Sequence, residues 1–423
     1  MGLMAVLSTN ENLNKQIRVF CKVSEGTFSP VFLSERDKCL EYLNYELPEI
    51  SVFYLDDPQI KMDPVLQAIK TDPWLLYGGI IGIYSQGEEA ALEKKLKDHN
   101  VISLIHEKQL KFLFPRVLRI LNQNRQILFQ RGLQSHLIHS ISGSFIIDND
   151  PFDIKTYALL VSNYLFNTNY LKADDKQNLL VALMELLINA IEHGNCKISY
   201  EEKGAWLESG RDIFSLIRFK NKDPEIRKRK IYFSYRITPQ KSEYVIRDEG
   251  SGFDWKKRKK KITEENYLDL HGRGIMMADH YVRGLKYNER GNEVGFEVPH
   301  QENESNTLPE AFTTEKEITF EDGGTVFTEG EESNFLYYIV SGKLNVISRD
   351  KVLSTLTPDD LFLGEMSFLL NNKRSAAVKS VGKSVLIKIS KEAFVNVIKQ
   401  KPHYGIFLAR ILAQRLDRLN RLI

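Results

Sequence analysis

Cysteine is scarce: Cys21, Cys39 and Cys196 are the three in 423 residues, and they lie far apart. Such usage excludes a disulfide framework and a thiolate metal site, and it favours a reducing compartment. Long hydrophobic runs are missing too, so no segment is expected to span a bilayer and no membrane partner is expected. The opening residues Met1-Gly-Leu-Met-Ala-Val6 lack the basic region and small-residue cleavage site of a secretory signal. Val6 also stands where a myristoylation pattern wants Ser or Thr. Charge of one sign is absent as well, since 58 Lys and Arg against 56 Asp and Glu give +2. That is too little for whole-protein attraction to nucleic acid. A cytoplasmic protein is the expectation. The 42% hydrophobic and 27% charged residues suit two to four domains with sizeable cores.

One stretch organises the chain. From Leu179 to Ile191 every residue is apolar except Glu185 and Asn189, which reads as a buried helix stopped by Gly194-Asn195. Glu185 and Asn189 are four apart and share a face, which Glu192 and His193 extend. A carboxylate there is costly unless something pairs with it, so the stripe is either an internally satisfied hydrogen-bond set or a site. Two glycine motifs follow. Strands expected at Ile231–Ile237 and Glu243–Ile246 run into Arg247-Asp248-Glu249-Gly250-Ser251-Gly252-Phe253-Asp254. Then His271-Gly272-Arg273-Gly274-Ile275 precedes a strand at Glu293–Val298. An aspartate followed by two glycines lets the backbone approach a flat ring while the carboxylate accepts from an exocyclic amine. Gly-Arg-Gly before a helical run exposes backbone N–H groups to phosphate. An asparagine and a glutamate facing such a site suit Mg²⁺ and base duty.

This set resembles the GHKL (Bergerat-fold) ATP-binding family, and within it the branch of anti-sigma-factor serine kinases. The resemblance implies an α+β ATPase sandwich over residues 135–299, interrupted by a charged insertion, Ser199–Lys230. It assigns Mg²⁺ to Asn189 and the adenine amine to Asp248. It places His193, Gly250, Gly252, Gly272, Arg273 and Gly274 around ATP, and makes Glu185 the base for a substrate hydroxyl or water. His136 and His139 stand roughly where a histidine kinase keeps its phosphorylated residue, but the acidic residue and Arg that should follow are missing. Serine phosphorylation of a partner is favoured over autophosphorylation. Lys256–Lys261 and Arg227–Lys230 read as solvated loops or as an electrostatic aid beside the phosphates. They belong to no nucleic-acid-reading module.

Residues 1–130 alternate strands (Ala5–Ser8, Ser51–Leu55, Gly79–Tyr84, Val101–Ile105) with helices (Glu11–Phe20, Arg36–Tyr45, Glu88–Asp98), the pattern of a parallel sheet. Size and order resemble a response-regulator receiver, an α/β flavodoxin-like domain. Asp56 then takes the place of the phosphorylated aspartate and Ser85 that of its hydroxyl neighbour. Ser8-Thr9-Asn10 replaces the acidic pair that holds Mg²⁺, and His106-Glu107-Lys108-Gln109 replaces the usual Lys-Pro. A degenerate receiver-like domain used for docking or dimerisation is expected. The helical stretch Leu110–Leu137 leads away from it and suits pairing with a second copy, hence a homodimer.

A polar linker at 300–311 precedes short strands with glycine turns, among them Thr325–Gly330, Phe335–Val340, a turn at Ser341-Gly342, and Leu344–Ser348. This spacing predicts an antiparallel barrel closed by helices at Lys391–Lys399 and Tyr404–Leu422. Gly364-Glu365 and Arg374-Ser375-Ala376 flank a turn. A carboxylate can accept from a ribose hydroxyl, while an arginine and free N–H groups hold a cyclic phosphate. Residues 312–423 resemble a cyclic-nucleotide-binding domain for cAMP or cGMP. By that resemblance Gly364 is part of the cyclic-nucleotide site, Glu365 takes the ribose, and Arg374, Ser375 and Ala376 the phosphate. Asp359-Asp360 replaces the usual Gly-Asp and places negative charge nearby. No helix-turn-helix follows, so a transcription factor is not expected.

The expectation is a cytoplasmic, ATP- and Mg²⁺-dependent serine/threonine protein kinase regulated by cyclic nucleotide. Its substrate is a partner protein such as an anti-sigma-factor antagonist or another sigma-factor pathway protein. The alternatives are a non-catalytic, nucleotide-dependent sequestering switch and a histidine kinase.

Overall fold

A computed structural model describes residues 2–23, 28–72, 75, 78–124, 141–238, 240–253, 282–301, 305–306, 308–370, 372–405 and 408–409. The protein is multidomain: an N-terminal α/β unit with a parallel sheet, a central α+β unit and a C-terminal antiparallel unit.

The first unit contains β1 (Gly2–Leu7), α1 (Glu11–Val23), β2 (Phe28–Leu33), α2 (Arg36–Glu46) and β3 (Ile50–Tyr54). It continues through α3 (Met62–Thr71), β4 (Gly79–Tyr84), α4 (Glu89–Lys95), β5 (Val101–His106) and α5 (Leu110–Gln123). The strands are parallel in the doubly wound order β2-β1-β3-β4-β5. β3 and β4 are buried along their whole length, as a sheet covered on both faces requires. Sequence reading missed two elements, β2 and α3. Pro30 argues against a strand, and β2 tolerates it by lying at the sheet edge.

The expectation that residues from Leu110 onward lead away is corrected for the described part. Leu110, Phe114, Val117, Leu118, Ile120 and Leu121 of α5 are buried in the core. Residues 125–137 of that stretch lie outside the described residues, as do His136 and His139.

The second unit begins with β6 (Ile141–Ile147), α6 (Pro151–Asn167) and α7 (Ala173–Asn189). The insertion forms α8 (Tyr200–Glu208), α9 (Ile213–Lys220) and α10 (Pro224–Lys228). β7 (Ile231–Ile237), β8 (Lys241–Asp248), β9 (Arg283–Tyr287) and β10 (Glu293–Pro299) complete an antiparallel sheet in the order β6-β7-β8-β10-β9. α6 is buried from Ile154 to Leu165 on nearly every side except at Lys155. A helix apolar all round needs neighbours on all sides, and here the first unit supplies one of them. Asn163 Nδ2 donates to the Val101 carbonyl at 2.8 Å. Arg116 and Arg119 of α5 pair with Asp153 at 3.0 and 2.5 Å, and Lys155 pairs with Glu89 and Glu93 of α4. One apolar cluster runs through both units, from Met4 to Val298.

The third unit contains β11 (Lys316–Phe320), β12 (Thr325–Phe327), β13 (Phe335–Ser348), β14 (Lys351–Leu356) and β15 (Phe362–Leu363). α11 (Glu365–Leu370), β16 (Ala377–Ser390) and α12 (Lys391–Gln400) follow. Two strands were expected around a turn at Ser341-Gly342. Instead β13 is one strand of 14 residues, bulged where its register with β16 shifts. Gly342 has φ +95°, and a Cβ there would lie 2.6 Å from the Lys383 carbonyl oxygen, so the glycine makes a bulge. Asn306 is drawn into this unit, its amide N–H donating to the Val340 carbonyl at 2.7 Å.

A second contact joins the first and third units. Asp72, following α3, is 2% exposed and meets His403 Nε2 at 3.3 Å; Lys401 Nζ lies 3.8 Å from the same oxygen. Tyr404 packs edge-on against Phe312 in the core of the third unit.

Candidate functional site

α7 carries Glu185 and Asn189, and directly after Asn189 the helix widens into a π turn, Ala190–Asn195. Such wide turns recur at functional sites. This one turns His193 and Gly194 toward the end of β8. A Cβ on Gly194 would lie 2.4 Å from the Asp248 carboxyl carbon, and one on Gly250 2.3 Å from the Gly194 carbonyl oxygen. The two glycines are what lets α7 and β8 close on each other. Gly252 has φ +78°, and a Cβ there would lie 1.9 Å from the Arg290 carbonyl oxygen.

Asn189, His193, Asp248 and Gly252 line one cavity of about 350 Å³, together with Tyr200, Phe253 and Asn292. Asp248 is 9% exposed and accepts from the Gly250 N–H at 2.8 Å. Burial pushes its carboxyl up to about 6, against the pull of that N–H. Glu185 lies one helical turn before Asn189 and is not part of the cavity lining. Burial also holds its carboxyl above the ordinary range, opposed by Lys203 and reinforced by Glu192. Neither the Asn189 amide nor the Glu185 carboxylate makes a side-chain hydrogen bond among the described residues. One hard oxygen donor from the protein beside a triphosphate fits Mg²⁺, which keeps waters and phosphate oxygens as its other ligands. No cluster of three or more His, Cys, Asp or Glu suited to a metal occurs among the described residues. Gly272, Arg273 and Gly274 lie outside the described residues, as does Lys256–Lys261.

Sequence reasoning missed two asparagines. Asn195, taken for a helix stop, is fully buried; its Oδ1 accepts from the Glu249 N–H at 2.8 Å and its Nδ2 donates to Asn149 Oδ1 at 2.8 Å. It ties the first motif to the second. Asn292 Nδ2 donates to the Asp248 carbonyl at 2.9 Å, and the Asp248 N–H donates to the Asn292 carbonyl at 3.0 Å. The Asn288-Glu-Arg-Gly-Asn292 turn was the signal available for it.

In the third unit Gly364 (φ +79°) leads into Glu365, which is 4% exposed at the start of α11. Arg374, also 4% exposed, donates from Nη1 to the Gly364 carbonyl and Ser367 Oγ, both at 2.8 Å, and from Nη2 to the Phe335 carbonyl at 2.6 Å. Its guanidinium carbon sits 4.2 Å from the centre of the Phe327 ring. Its Nε is buried without a partner, and it forms no salt bridge among the described residues. Burial lowers its hold on the proton. A buried cation with a spare donor and no paired carboxylate is suited to receive an anion. Ser375 is exposed and Ala376 buried in the turn before β16. The side chain of Asp359 is outside the described set. The charge expected from Asp360 is used locally, its carboxylate accepting from the Thr357 N–H at 2.9 Å.

In the first unit Asp56 Oδ2 accepts from the Ser85 N–H at 2.7 Å and the Gln86 N–H at 3.0 Å. The neighbouring Asp57 holds Thr9 through its N–H at 2.6 Å and its hydroxyl at 2.8 Å. Asp56 and Ser85 are therefore together.

Comparison with known proteins places two of the units. Residues 147–297 match the family model of the histidine kinase-like ATPase domain, and residues 317–401 that of the cyclic nucleotide-binding domain. The chain thus carries a GHKL-like ATPase domain joined to a cyclic nucleotide-binding domain. It is 32% identical over 108 residues to a CRP-like cAMP-activated global transcriptional regulator of Mycobacterium tuberculosis, a match covering 24% of this chain and 48% of that protein. It is 33% identical over 83 residues to a cGMP-dependent protein kinase of Plasmodium berghei, covering 20% of this chain and 10% of that one. Among solved structures, the Thermus thermophilus catabolite activator protein aligns at 27% identity and a TM-score of 0.25, covering 26% of this chain and 54% of that one. The alignments with the cAMP-activated regulators span about half of those proteins. Among the described residues no single helix is long and apolar enough to cross a membrane.

Proposed function

We propose that this protein is an ATP- and Mg²⁺-dependent serine/threonine protein kinase whose activity is set by a cyclic nucleotide, cAMP or cGMP, on its third unit. The observation that carries this reading is the convergence of Asn189, His193, Asp248 and Gly252 on one cavity, with Glu185 one helical turn away. Asp248 accepts the hydrogen bond of an exocyclic amine, which favours adenine over bases lacking that donor. Asn189 would hold Mg²⁺ through its side-chain oxygen, and the ion would supply charge neutralisation at a phosphoryl group. Glu185, its carboxyl already raised, accepts the proton of the attacking hydroxyl. In the third unit Arg374 takes the cyclic phosphate and Glu365 the ribose hydroxyl.

The partner carrying that hydroxyl is a protein such as an anti-sigma-factor antagonist, in the cytoplasm. The first unit serves as a receiver-like docking domain, and a homodimer is the assembly proposed. Glu185→Gln tests the catalytic half: Mg-ATP binding should persist while ATP turnover collapses. A second reading, sequestration of a partner without turnover, is favoured by the position of Glu185 outside the cavity lining. It predicts that Glu185→Gln leaves partner binding and its nucleotide dependence unchanged.

A further inference from the structure

The insertion Ser199–Lys230 is highly charged in sequence, and only its end, Arg227–Lys230, reads as a solvated loop; it folds as a packed helical element. Leu216 and Ile217 of α9 are buried, Trp206 Nε1 donates to Ser215 Oγ at 3.0 Å, and Lys220 pairs with Glu202 at 2.8 Å. Asn221 Nδ2 donates to the Asn149 carbonyl at 2.8 Å, fixing the insertion to the end of β6.

The insertion also grips the π turn. Ser199 caps α8 by accepting from the Glu202 N–H at 3.1 Å. Lys203, one turn into α8, pairs with the buried Glu192 carboxylate at 2.6 Å. The ring of Tyr200 lies on the ring of His193, centroids 4.3 Å apart at 32°, and the His193 Nδ1 is fixed 2.7 Å from the Ile198 carbonyl. The Lys203–Glu192 pair and the Tyr200–His193 ring contact therefore hold α8 against the π turn, and Tyr200 lines the same cavity as Asp248. Phe253 and Tyr287, edge to face at 5.1 Å, supply further aromatic lining.

We infer that Tyr200 is a ligand-contacting residue of the nucleotide site, so that the insertion builds one aromatic wall against the purine nucleotide and sets its affinity. The inference rests on the ATP-binding reading above and deepens it. Aromatic rings beside the buried Asp248 carboxylate, which can accept from an exocyclic amine, form a pocket for a flat heteroaromatic ring.

The test is calorimetric titration of the full chain with Mg-ATP and Mg-GTP. It compares wild type, Tyr200→Ala, Tyr200→Leu, Tyr200→Phe and, as a control for the insertion's fold, Phe219→Ser, whose ring is 54% exposed and away from the cavity lining. Tyr200→Ala and Tyr200→Leu should each weaken Mg-ATP by about ten-fold, the loss expected for one aromatic partner of a base. Tyr200→Phe and Phe219→Ser should stay within about two-fold of wild type, the margin expected where no ring is lost from the pocket. Retained affinity in Tyr200→Ala, or an equal loss in Phe219→Ser, overturns the assignment alone. A wild type that binds no Mg-ATP overturns the ATP-binding reading as well, so the two failures are distinguishable.

Discussion

Replacing Asp248 with asparagine should stabilise the unliganded protein and weaken its hold on adenine nucleotide. The carboxylate is buried and held at about 6 rather than 3.8. Keeping it ionised at neutral pH therefore costs up to about 3 kcal/mol, and about 2 once water in the cavity is allowed for. The sign follows from proton counting. Between the two values the folded state holds a proton that the unfolded state has lost, so this contribution to stability falls as pH rises from about 4 to 6. Asparagine keeps an oxygen for the Gly250 N–H and carries no charge, so about 1–2 kcal/mol should return. That is roughly 2–8 °C in the melting midpoint of a unit this size. The new amide points a donor where the nucleotide presents one, and the lost charge-assisted hydrogen bond should weaken Mg-ATP by about 10–100-fold. Thermal melting from pH 4 to 8 and Mg-ATP titration read both effects. A variant that melts lower than wild type at pH 7 and binds Mg-ATP equally well would refute the reasoning.

Four further outcomes are expected. Gly194→Ala drives a Cβ into the Asp248 carboxylate and should abolish Mg-ATP binding by displacing that group, read by titration. Glu185→Gln should retain Mg-ATP affinity and lose turnover, read by phosphate release. Arg374→Ala removes the side-chain donor to the Phe335 carbonyl and one of three donors to the Gly364 carbonyl. It should cost the third unit about 2–4 kcal/mol in denaturant melting and eliminate cAMP and cGMP binding while sparing Mg-ATP. Asp72→Ala removes the buried partner of His403. It should cost about 1–3 kcal/mol and increase the radius of gyration in solution scattering as the third unit separates from the first.

Much of the fold was readable because its signals are local. β3 and β4 are short apolar runs, and the alternation around them indicated a parallel sheet before any packing was known. β2 was hidden by Pro30, whose tolerance depends on an edge position that only the sheet order reveals. The apolar stretch of α6 announced burial on all sides, yet no local pattern says that the far side is another unit's strand and helix. For the same reason α5 was expected to project outward, although Phe114 and Val117 are buried.

The candidate site was legible where spacing fixes chemistry. Asn189, Asp248 and Gly252, which meet in one cavity, could be singled out because a helical stripe and a glycine pair declare themselves in sequence. The π turn after Asn189 could not, since it changes the turn without changing the residue types. The contacts of Tyr200 and Lys203 with the π turn were invisible because they depend on how α8 docks. Arg374 was found from its motif, but its partners Phe335 and Phe327 come from distant strands.

The most direct measurement is calorimetric titration of the full chain with Mg-ATP, then with cAMP and cGMP, in wild type and Arg374→Ala. The account predicts one Mg-ATP site in both proteins and a cyclic-nucleotide site in wild type alone, with Mg-ATP affinity shifted when the cyclic site is filled. Absence of Mg-ATP binding, or Mg-ATP affinity indifferent to a saturated cyclic site, would contradict it.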